Sequence, residues 1–383
     1  MFVNQYKFNR QNINIFRSWW LDIDKVNLCI IIFMIAFGVV LSASSSPAVA
    51  IKLGLEKTFF LKKHLIFAIL AIIVIFITSS LRSQDIKTIA IFGIIIFIGL
   101  LIFTILFSQS SKGAKRWISI FNFTLQPSEF IKPLFVLVNA IIFAKLDQAK
   151  FYLKYSISTV LYLIIVCLLL LQPDFGMSVV FTFLWGCQLF AYGIPNIALA
   201  IIISFGLLGA TYVYNSMPHV ANRIHKFINI DKKNYQLEKS LDGYIEGSFL
   251  GKGPAQGEVK NFIPDAHTDF IMPVISEEFG VLFCIFILLC FFIIATRVFK
   301  KIFHQKDIFT YLSCLGLISI ISVQIIINVG VTLGLLPTKG MTFPFISYGG
   351  SSMLAMAFCF GVILLLTKEK YDQPIKNEKI LDI

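Results

Sequence analysis

The residues of this chain that could do chemistry gather in one stretch, Ile263 to Gly280, which reads I-P-D-A-H-T-D-F-I-M-P-V-I-S-E-E-F-G. Five ionisable residues lie just before a long apolar run or inside it: Asp265, His267, Asp269, Glu277 and Glu278. Ionisable side chains are costly to place at the edge of a membrane span, so such a cluster favours a functional interpretation. We therefore expect the chemistry of the chain where this loop meets the apolar run.

Asp269 is the residue in this stretch best suited to proton transfer. It is the last polar residue before Phe270 and Ile271, and partial desolvation there suits a carboxylate that abstracts a proton. A second interpretation makes Asp269 the N-cap of the following helix, with Thr268 beside it. His267 has no second histidine or cysteine at ligand spacing, which argues against a metal site. The stretch predicts a catalytic carboxylate, a helix cap, or both in one residue.

Composition defines the class of protein that must position these groups. Of the 383 residues, 57% are hydrophobic and 14% are charged, and the apolar residues form long blocks typical of membrane spans. The seven cysteines fall within those blocks, which indicates small core residues rather than disulfides. Basic residues flank the blocks and give a net charge of +12. This pattern indicates membrane orientation and contact with membrane lipids, and it argues against nucleic-acid binding.

We predict an all-α fold: a polytopic membrane protein with a bundle of ten transmembrane helices and one large outer loop. The predicted spans are 26–43, 64–80, 88–107, 129–145, 155–172, 176–192, 196–214, 270–296, 309–335 and 351–367. Basic residues in the short loops place both termini in the cytoplasm. The predicted regions are a cytoplasmic tail 1–25, a transmembrane domain 26–367 with a periplasmic loop 215–269, and a cytoplasmic tail 368–383.

The large loop has two features of its own. Apolar residues between Leu237 and Phe249 recur at helical spacing, which predicts an amphipathic helix on the bilayer surface. The glycines at 243, 247, 251, 253 and 257 then predict a flexible or tightly turning stretch that leads into Ile263.

Three further motifs carry polar residues next to predicted spans. In Q-P-S-E-F-I-K-P, Glu129 and Lys132 share one helical face, and their predicted ion pair is either structural or functional. In Q-P-D-F-G, Asp174 is either a helix cap or a site residue. In L-P-T-K-G-M-T-F-P-F-I-S-Y-G-G-S-S, prolines, glycines and hydroxyls interrupt the apolar pattern, which predicts irregular backbone lining a cavity.

These motifs, together with K-G-A-K-R-W-I before Glu129 and with P-D-A-H-T-D-F-I and E-E-F-G, occur in one order along the chain. In that order they resemble the bacterial SEDS family (shape, elongation, division and sporulation). The resemblance extends from the first predicted span to the last. T-K-G before F-P-F-I-S-Y-G-G is more similar to the division members of the family than to the elongation members.

The resemblance implies a peptidoglycan glycosyltransferase that polymerises lipid II at the outer face of the bacterial cytoplasmic membrane, at the division septum. It also implies a class B penicillin-binding protein, an FtsI-like transpeptidase, as partner, together with other division proteins. It assigns the family's catalytic aspartate to Asp269. Division members often carry a glutamate eight residues before that aspartate, where this chain has Asn261. Glu258 is a nearby candidate for that role.

Polymerisation of lipid II inverts the anomeric carbon in one displacement, so it requires a base and cations that meet the leaving pyrophosphate. We predict Asp269 as the base. The candidate cations on outer loops are Lys112, Lys115, Arg116 and Lys339. The other candidates for substrate binding are Glu129, Lys132, Asp174, His267 and Ser347. No protein metal site is predicted, and the one candidate cofactor is a divalent cation, Mg²⁺ or Mn²⁺.

Other functions fit some of the same features. A lipid II flippase or transporter would explain ionisable residues such as Glu129 and Lys132 inside a span, although the carboxylates cluster at one face and not along a path through the midplane. A polymerase of the elongation type is a further alternative. A scaffold that only recruits a transpeptidase would leave the cluster around Asp269 without a role.

Overall fold

The computed structural model describes residues 15–108, 116–120, 123–148, 150–195, 235–303 and 305–368, with scattered positions between 197 and 227. Within these residues the chain is α-helical apart from one short hairpin. The elements are α1 (Ile15–Asp22), α2 (Lys25–Ser45), α3 (Pro47–Lys52), α4 (Phe59–Ser80), α5 (Ser83–Phe107), β1 (Ile118–Ile120), β2 (Phe123–Leu125), α6 (Pro127–Lys145), α7 (Phe151–Leu171), α8 (Phe175–Tyr192), α9 (Tyr235–Gly247), α10 (Ile271–Phe279), α11 (Val281–Ile302), α12 (Ile308–Thr332) and α13 (Gly350–Leu366).

The predicted membrane class is confirmed: this is a multi-pass membrane protein. Eight of the described helices, α2, α4 to α8, α11 and α12, are long and apolar enough to cross a bilayer. The last apolar helix, α13, has 17 residues, about 25 Å at 1.5 Å per residue. Most of the predicted span 196–214 lies outside the described residues. The described part of the chain therefore does not confirm the count of ten.

One predicted span, 270–296, is wrong, because the structure divides this run into α10 and α11. The two helices meet at Gly280, where φ is +85°. Residues other than glycine rarely adopt this backbone conformation. A side chain at Gly280 would also collide with the backbone carbonyl of Phe249. The backbone N–H of Val281 donates to the carbonyl of Ser248 at 3.0 Å. A separate segment of the large loop therefore occupies the break.

Helix α6 lies at the centre of the bundle. In its most apolar stretch 78% of the residues are buried, against 22% for α5 and α7, and α6 packs against α5, α7, α8, α12 and α13. Large aliphatic and aromatic side chains of α5 and α7 remain exposed, as expected for helices that face lipid. The ion pair predicted on α6 therefore lies within the protein and not at its lipid surface.

The predicted helix in the large loop is present as α9, but its packing face differs from the one expected. Its buried residues are Ser240, Gly243 and Gly247, and this face of small residues packs on α10. Ile245 stays 75% exposed. A side chain at Gly247 would collide with the backbone of Ser276. Here glycine permits two helices to approach closely.

Candidate active site

One end of the bundle contains a cavity of about 510 Å³. It lies where α6, α8, α10 and α13 begin and where the irregular segment 333–349 crosses. The lining residues come from separate parts of the chain: Lys63, Phe67, Arg116, Trp117, Thr124, Gln126, Glu129, Asp174, Gly176, Met177, Gln236, Asp265, Thr268, Asp269, Phe270, Thr338 to Thr342, and Tyr348 to Ser352. The segment L-P-T-K-G to Y-G-G-S-S therefore lines a cavity, as its irregular pattern predicts.

Asp269 lines this cavity and is not the N-cap residue of the next helix. The N-cap of α10 is Phe270, which makes no side-chain cap hydrogen bond. Thr268 donates its hydroxyl to the carbonyl of Asp265 at 3.1 Å. A side chain at Gly340 would place its Cβ 2.6 Å from Oδ2 of Asp269, so glycine leaves room for the carboxylate. The structure therefore places the N-cap one residue after Asp269, at Phe270, and not at Asp269 as the capping interpretation predicts.

A cationic group lies at the start of α8. Nε of Arg116 is 3.4 Å from Oδ2 of Asp174, and the Arg116 guanidinium also donates to the carbonyl of Pro173. Asp174 accepts the N–H of Met177 at 3.2 Å. The cap predicted for Asp174 is confirmed, and the same carboxylate also lines the cavity. Asp174 therefore both caps α8 and lines the cavity.

Lys339 brings a second cation to the cavity. Its Nζ is buried and has no hydrogen-bond partner among the residues that the structure describes. Burial lowers the pKa of Lys339 to about 7, and the Asp174 carboxylate opposes part of that shift. A Cβ at Gly176 would lie 2.5 Å from Cε of Lys339. The lysine side chain therefore lies along the first turn of α8.

The predicted pair of Glu129 and Lys132 is confirmed. Nζ of Lys132 is 2.9 Å from Oε2 of Glu129, and the two side chains are 0% and 8% exposed. Glu129 reaches the wall of the cavity, whereas Lys132 is fully enclosed. The ion pair thus extends from the centre of the bundle to the wall of the cavity.

Glu277 and Glu278, the two glutamates within the apolar run, hold the large loop. Glu277 accepts three backbone N–H groups, those of residues 258, 259 and 260, at 2.6, 2.7 and 3.1 Å. Glu278 accepts from Nζ of Lys260, from the hydroxyl of Ser44 on α2, and from the N–H of Ala255 at 3.0 Å. Both carboxylates are buried and fully engaged, which satisfies charges that would otherwise be costly inside the protein.

Two predicted site residues have structural roles instead. The ring of His267 packs against Phe60 and Tyr348, with centroids 4.7 and 5.5 Å away, and burial lowers the pKa of His267 to about 4. The imidazole is therefore neutral at physiological pH. Ser347 is buried, and its Oγ accepts the N–H of Phe343 at 2.8 Å. It shapes a turn behind the cavity wall.

The structure leaves other predicted residues away from the site or outside the described residues. Glu258 and Asn261 are exposed to solvent, so Glu258 does not replace the missing family glutamate in the cavity. Lys112 and Lys115 lie outside the described residues. Lys63 also lines the cavity. The sequence alone did not single it out, because a basic residue beside a span is typical of membrane orientation.

Four carboxylates line the cavity: Glu129, Asp174, Asp265 and Asp269. Within the described residues no three His, Cys, Asp or Glu side chains could together hold an ion. Of the four carboxylates in the cavity, Glu129 and Asp174 each face a cationic side chain. Asp265 and Asp269 line the same cavity. Mg²⁺ commonly binds through one or two carboxylates together with substrate phosphates, and these residues are compatible with that arrangement.

Known proteins are similar to this chain in sequence and in fold. The family model for FtsW, RodA and SpoVE, described as cell cycle protein, matches residues 25–372. The Caulobacter vibrioides protein named "Probable peptidoglycan glycosyltransferase FtsW" is 34% identical over 95% of this chain and 94% of its own length. The protein of the same name from Trichlorobacter lovleyi is 32% identical over 90% and 92% of the two chains.

Two solved structures have the same fold. "Structural coordination of polymerization and crosslinking by a peptidoglycan synthase complex" contains a chain with a TM-score of 0.76 and 24% identity, over 91% of this chain and 98% of that one. The rod shape determining protein RodA of Thermus thermophilus has a TM-score of 0.68 and 23% identity, over 91% and 97% of the two chains. The family model covers nearly all of the sequence, and several relatives exceed 30% identity over most of it. The chain therefore belongs to the FtsW/RodA/SpoVE family of cell cycle proteins.

Proposed function

We propose that this protein is a peptidoglycan glycosyltransferase that polymerises lipid II during cell division. The observation that carries the proposal is the position of Asp269, which lines a cavity also lined by Arg116 and Lys339 and is not the N-cap residue of α10. A carboxylate and two cations in one cavity suit a transfer reaction that releases an anion. The relatives named as peptidoglycan glycosyltransferases support the same activity.

The reaction is a single displacement at the anomeric carbon of the growing strand. The sugar hydroxyl of the incoming lipid II attacks that carbon and forms the glycosidic bond. Asp269 takes the hydroxyl proton. The bond between the anomeric carbon and the phosphate oxygen breaks, and its electron pair leaves with the undecaprenyl pyrophosphate. Arg116 and Lys339 meet the developing negative charge. One displacement inverts the anomeric centre, as in inverting glycosidases.

The same proposal specifies the location, the orientation and the partner of the enzyme. The cavity end faces the outer side of the cytoplasmic membrane at the division septum, and both termini are cytoplasmic. A class B penicillin-binding protein cross-links the strands. A structural neighbour described as a complex for polymerization and crosslinking supports such a pairing. A divalent cation, Mg²⁺ or Mn²⁺, bound together with the pyrophosphate would neutralise part of its charge.

The test is Asp269→Asn in vesicles that contain lipid II and a transpeptidase-dead partner. The amide keeps the shape of the side chain but accepts no proton, so we expect polymer formation to fall by about a hundredfold or more while lipid II still binds. Asp265→Asn is the matched control, because it makes the same chemical change in the same cavity. Near wild-type polymerisation by Asp269→Asn would contradict the assignment. Lipid II translocation without polymer in the wild-type protein would favour the transporter instead.

A further inference from the structure

Asn328, near the end of α12, contacts two of the segments that bring ionisable residues to the cavity. Its Nδ2 donates to the backbone carbonyl of Asp269 at 2.9 Å and to that of Met341 at 2.6 Å. Because both partners are carbonyl oxygens, only the amide nitrogen can face them, and this defines the side-chain orientation. One amide therefore joins the segment before α10 to the segment 333–349.

The two contacts lie on either side of the point where these segments meet. Met341 directly follows Gly340, whose Cα approaches the Asp269 carboxylate so closely that a Cβ would lie 2.6 Å from Oδ2. Lys339 directly precedes Gly340. Asn328 thus holds the backbone of Asp269 and the backbone two residues from Lys339. A shift of either carbonyl would change the separation of the two side chains.

A second bond ties the same segments at a different place. The N–H of Tyr348 donates to the carbonyl of His267 at 2.8 Å. This bond limits how far the segments can separate, but it involves neither Asp269 nor Lys339. Asn328 contributes to the local register at those two residues, because it binds the carbonyl of Asp269 itself and that of Met341.

Packing alone gives no reason for an amide at this position. Asn328 is 1% exposed, and its Oδ1 accepts no hydrogen bond in the part of the chain that the structure describes. A buried acceptor without a partner costs free energy, and leucine, which has the same branching and the same number of side-chain heavy atoms, would avoid that cost. The benefit that remains is the pair of hydrogen bonds to the two site segments.

We propose that Asn328 is a positioning residue that keeps the backbone at Asp269 in register with the segment that carries Lys339. The inference rests on the proposed function, in which Asp269 accepts a proton while Lys339 meets the pyrophosphate. A misplacement of about 1 Å from the reactive geometry costs on the order of a hundredfold in rate. Because Asn328 lies behind the cavity segments, its loss should reduce turnover and leave substrate binding nearly unchanged.

The experiment compares Asn328→Leu with Asn139→Leu. Asn139 is a matched control, since it is a fully buried amide on α6 that donates to Oε1 of Gln188 at 3.0 Å, inside the bundle. Initial rates of polymer formation are measured against lipid II concentration, and thermal unfolding is followed in detergent. We expect both variants to lose similar stability. Only Asn328→Leu should lose kcat, by about tenfold to a hundredfold, with KM within about twofold of wild type.

The inference is overturned if Asn328→Leu retains the kcat of Asn139→Leu, or if its loss lies in KM. Should Asn328→Leu fail to fold, Asn328→Ser keeps one donor in a smaller side chain. It is then expected to show a partial loss of kcat, and wild-type kcat in that variant overturns the inference.

A wild-type protein that makes no polymer would contradict the proposed function, not the positioning role. That role is then tested by the distance between spin labels at Phe262 and Leu335, which are 57% and 69% exposed and flank the two segments. We expect the distance distribution to broaden in Asn328→Leu and to stay unchanged in Asn139→Leu. An unchanged distribution in both variants would overturn the positioning role.

Discussion

Removal of the Glu129 carboxylate should destabilise the bundle more than removal of the Lys132 ammonium. The two groups form one ion pair of 2.9 Å, but their surroundings differ, because Lys132 is 0% exposed and Glu129 is 8% exposed. Glu129→Gln leaves an ammonium enclosed in the protein without a charged partner, which costs about 3 to 5 kcal/mol. Lys132→Met leaves a carboxylate at a cavity wall, where Lys339 lies within electrostatic range. We expect that change to cost about 1 to 3 kcal/mol.

The assay is reversible unfolding in mixed micelles, read as the free energy of unfolding of each variant. The double variant Glu129→Gln, Lys132→Met removes both charges, so it should recover most of the loss in Glu129→Gln. Exchange of the two residues should likewise retain much of the fold. An equal loss of unfolding free energy in the two single variants, or a larger loss in Lys132→Met, would refute the argument that the more deeply buried charge is the costlier one to leave unpaired. Single variants that unfold like wild type would show that the pair contributes nothing to stability.

Three further outcomes are expected from the site. Since burial lowers the pKa of Lys339 to about 7, its ammonium is lost as pH rises above that value. Affinity for pyrophosphate, measured by calorimetry, should then fall by up to about tenfold per pH unit, whereas Lys339→Arg, always charged, should show a flatter profile. Glu278→Gln leaves the buried Lys260 ammonium without its charged partner, so amide exchange should speed up across 252–262 and stay unchanged in α13. Chelation of divalent cations should slow polymer formation without changing thermal stability; a fall in stability would indicate an ion held by the protein itself.

Much of the site could be predicted from sequence, because its residues lie at the ends of apolar runs. Asp269, Asp174 and Glu129 each occupy such a position, and Arg116 and Lys339 lie in loops at the same end of the predicted bundle. Spacing three residues apart was enough to pair Glu129 with Lys132, since a helix places both on one face. The motif order then identified the family.

The sequence could not reveal which polar groups turn away from the cavity. His267 lies between two aspartates, yet the helix start at Ile271 directs its ring into an aromatic cluster. The break at Gly280 was also hidden, because hydropathy is continuous from Phe270 to Ile294 except for two glutamates. The partners of those glutamates are loop N–H groups, the Lys260 ammonium and the Ser44 hydroxyl, all outside the helix. The pattern of one helix contains no information about such partners.

The break at Gly280 also bears on how the protein is made. Helix α10 has nine residues, about 14 Å at 1.5 Å per residue, which is less than half of a hydrocarbon core about 30 Å thick. It also carries two glutamates, so it cannot partition into the bilayer by itself as α11 can. We expect it to take its place only when the loop N–H groups and Lys260 satisfy those carboxylates. Membrane insertion of the spans and completion of the cavity end are then expected to be separate steps of biogenesis, the second after the first.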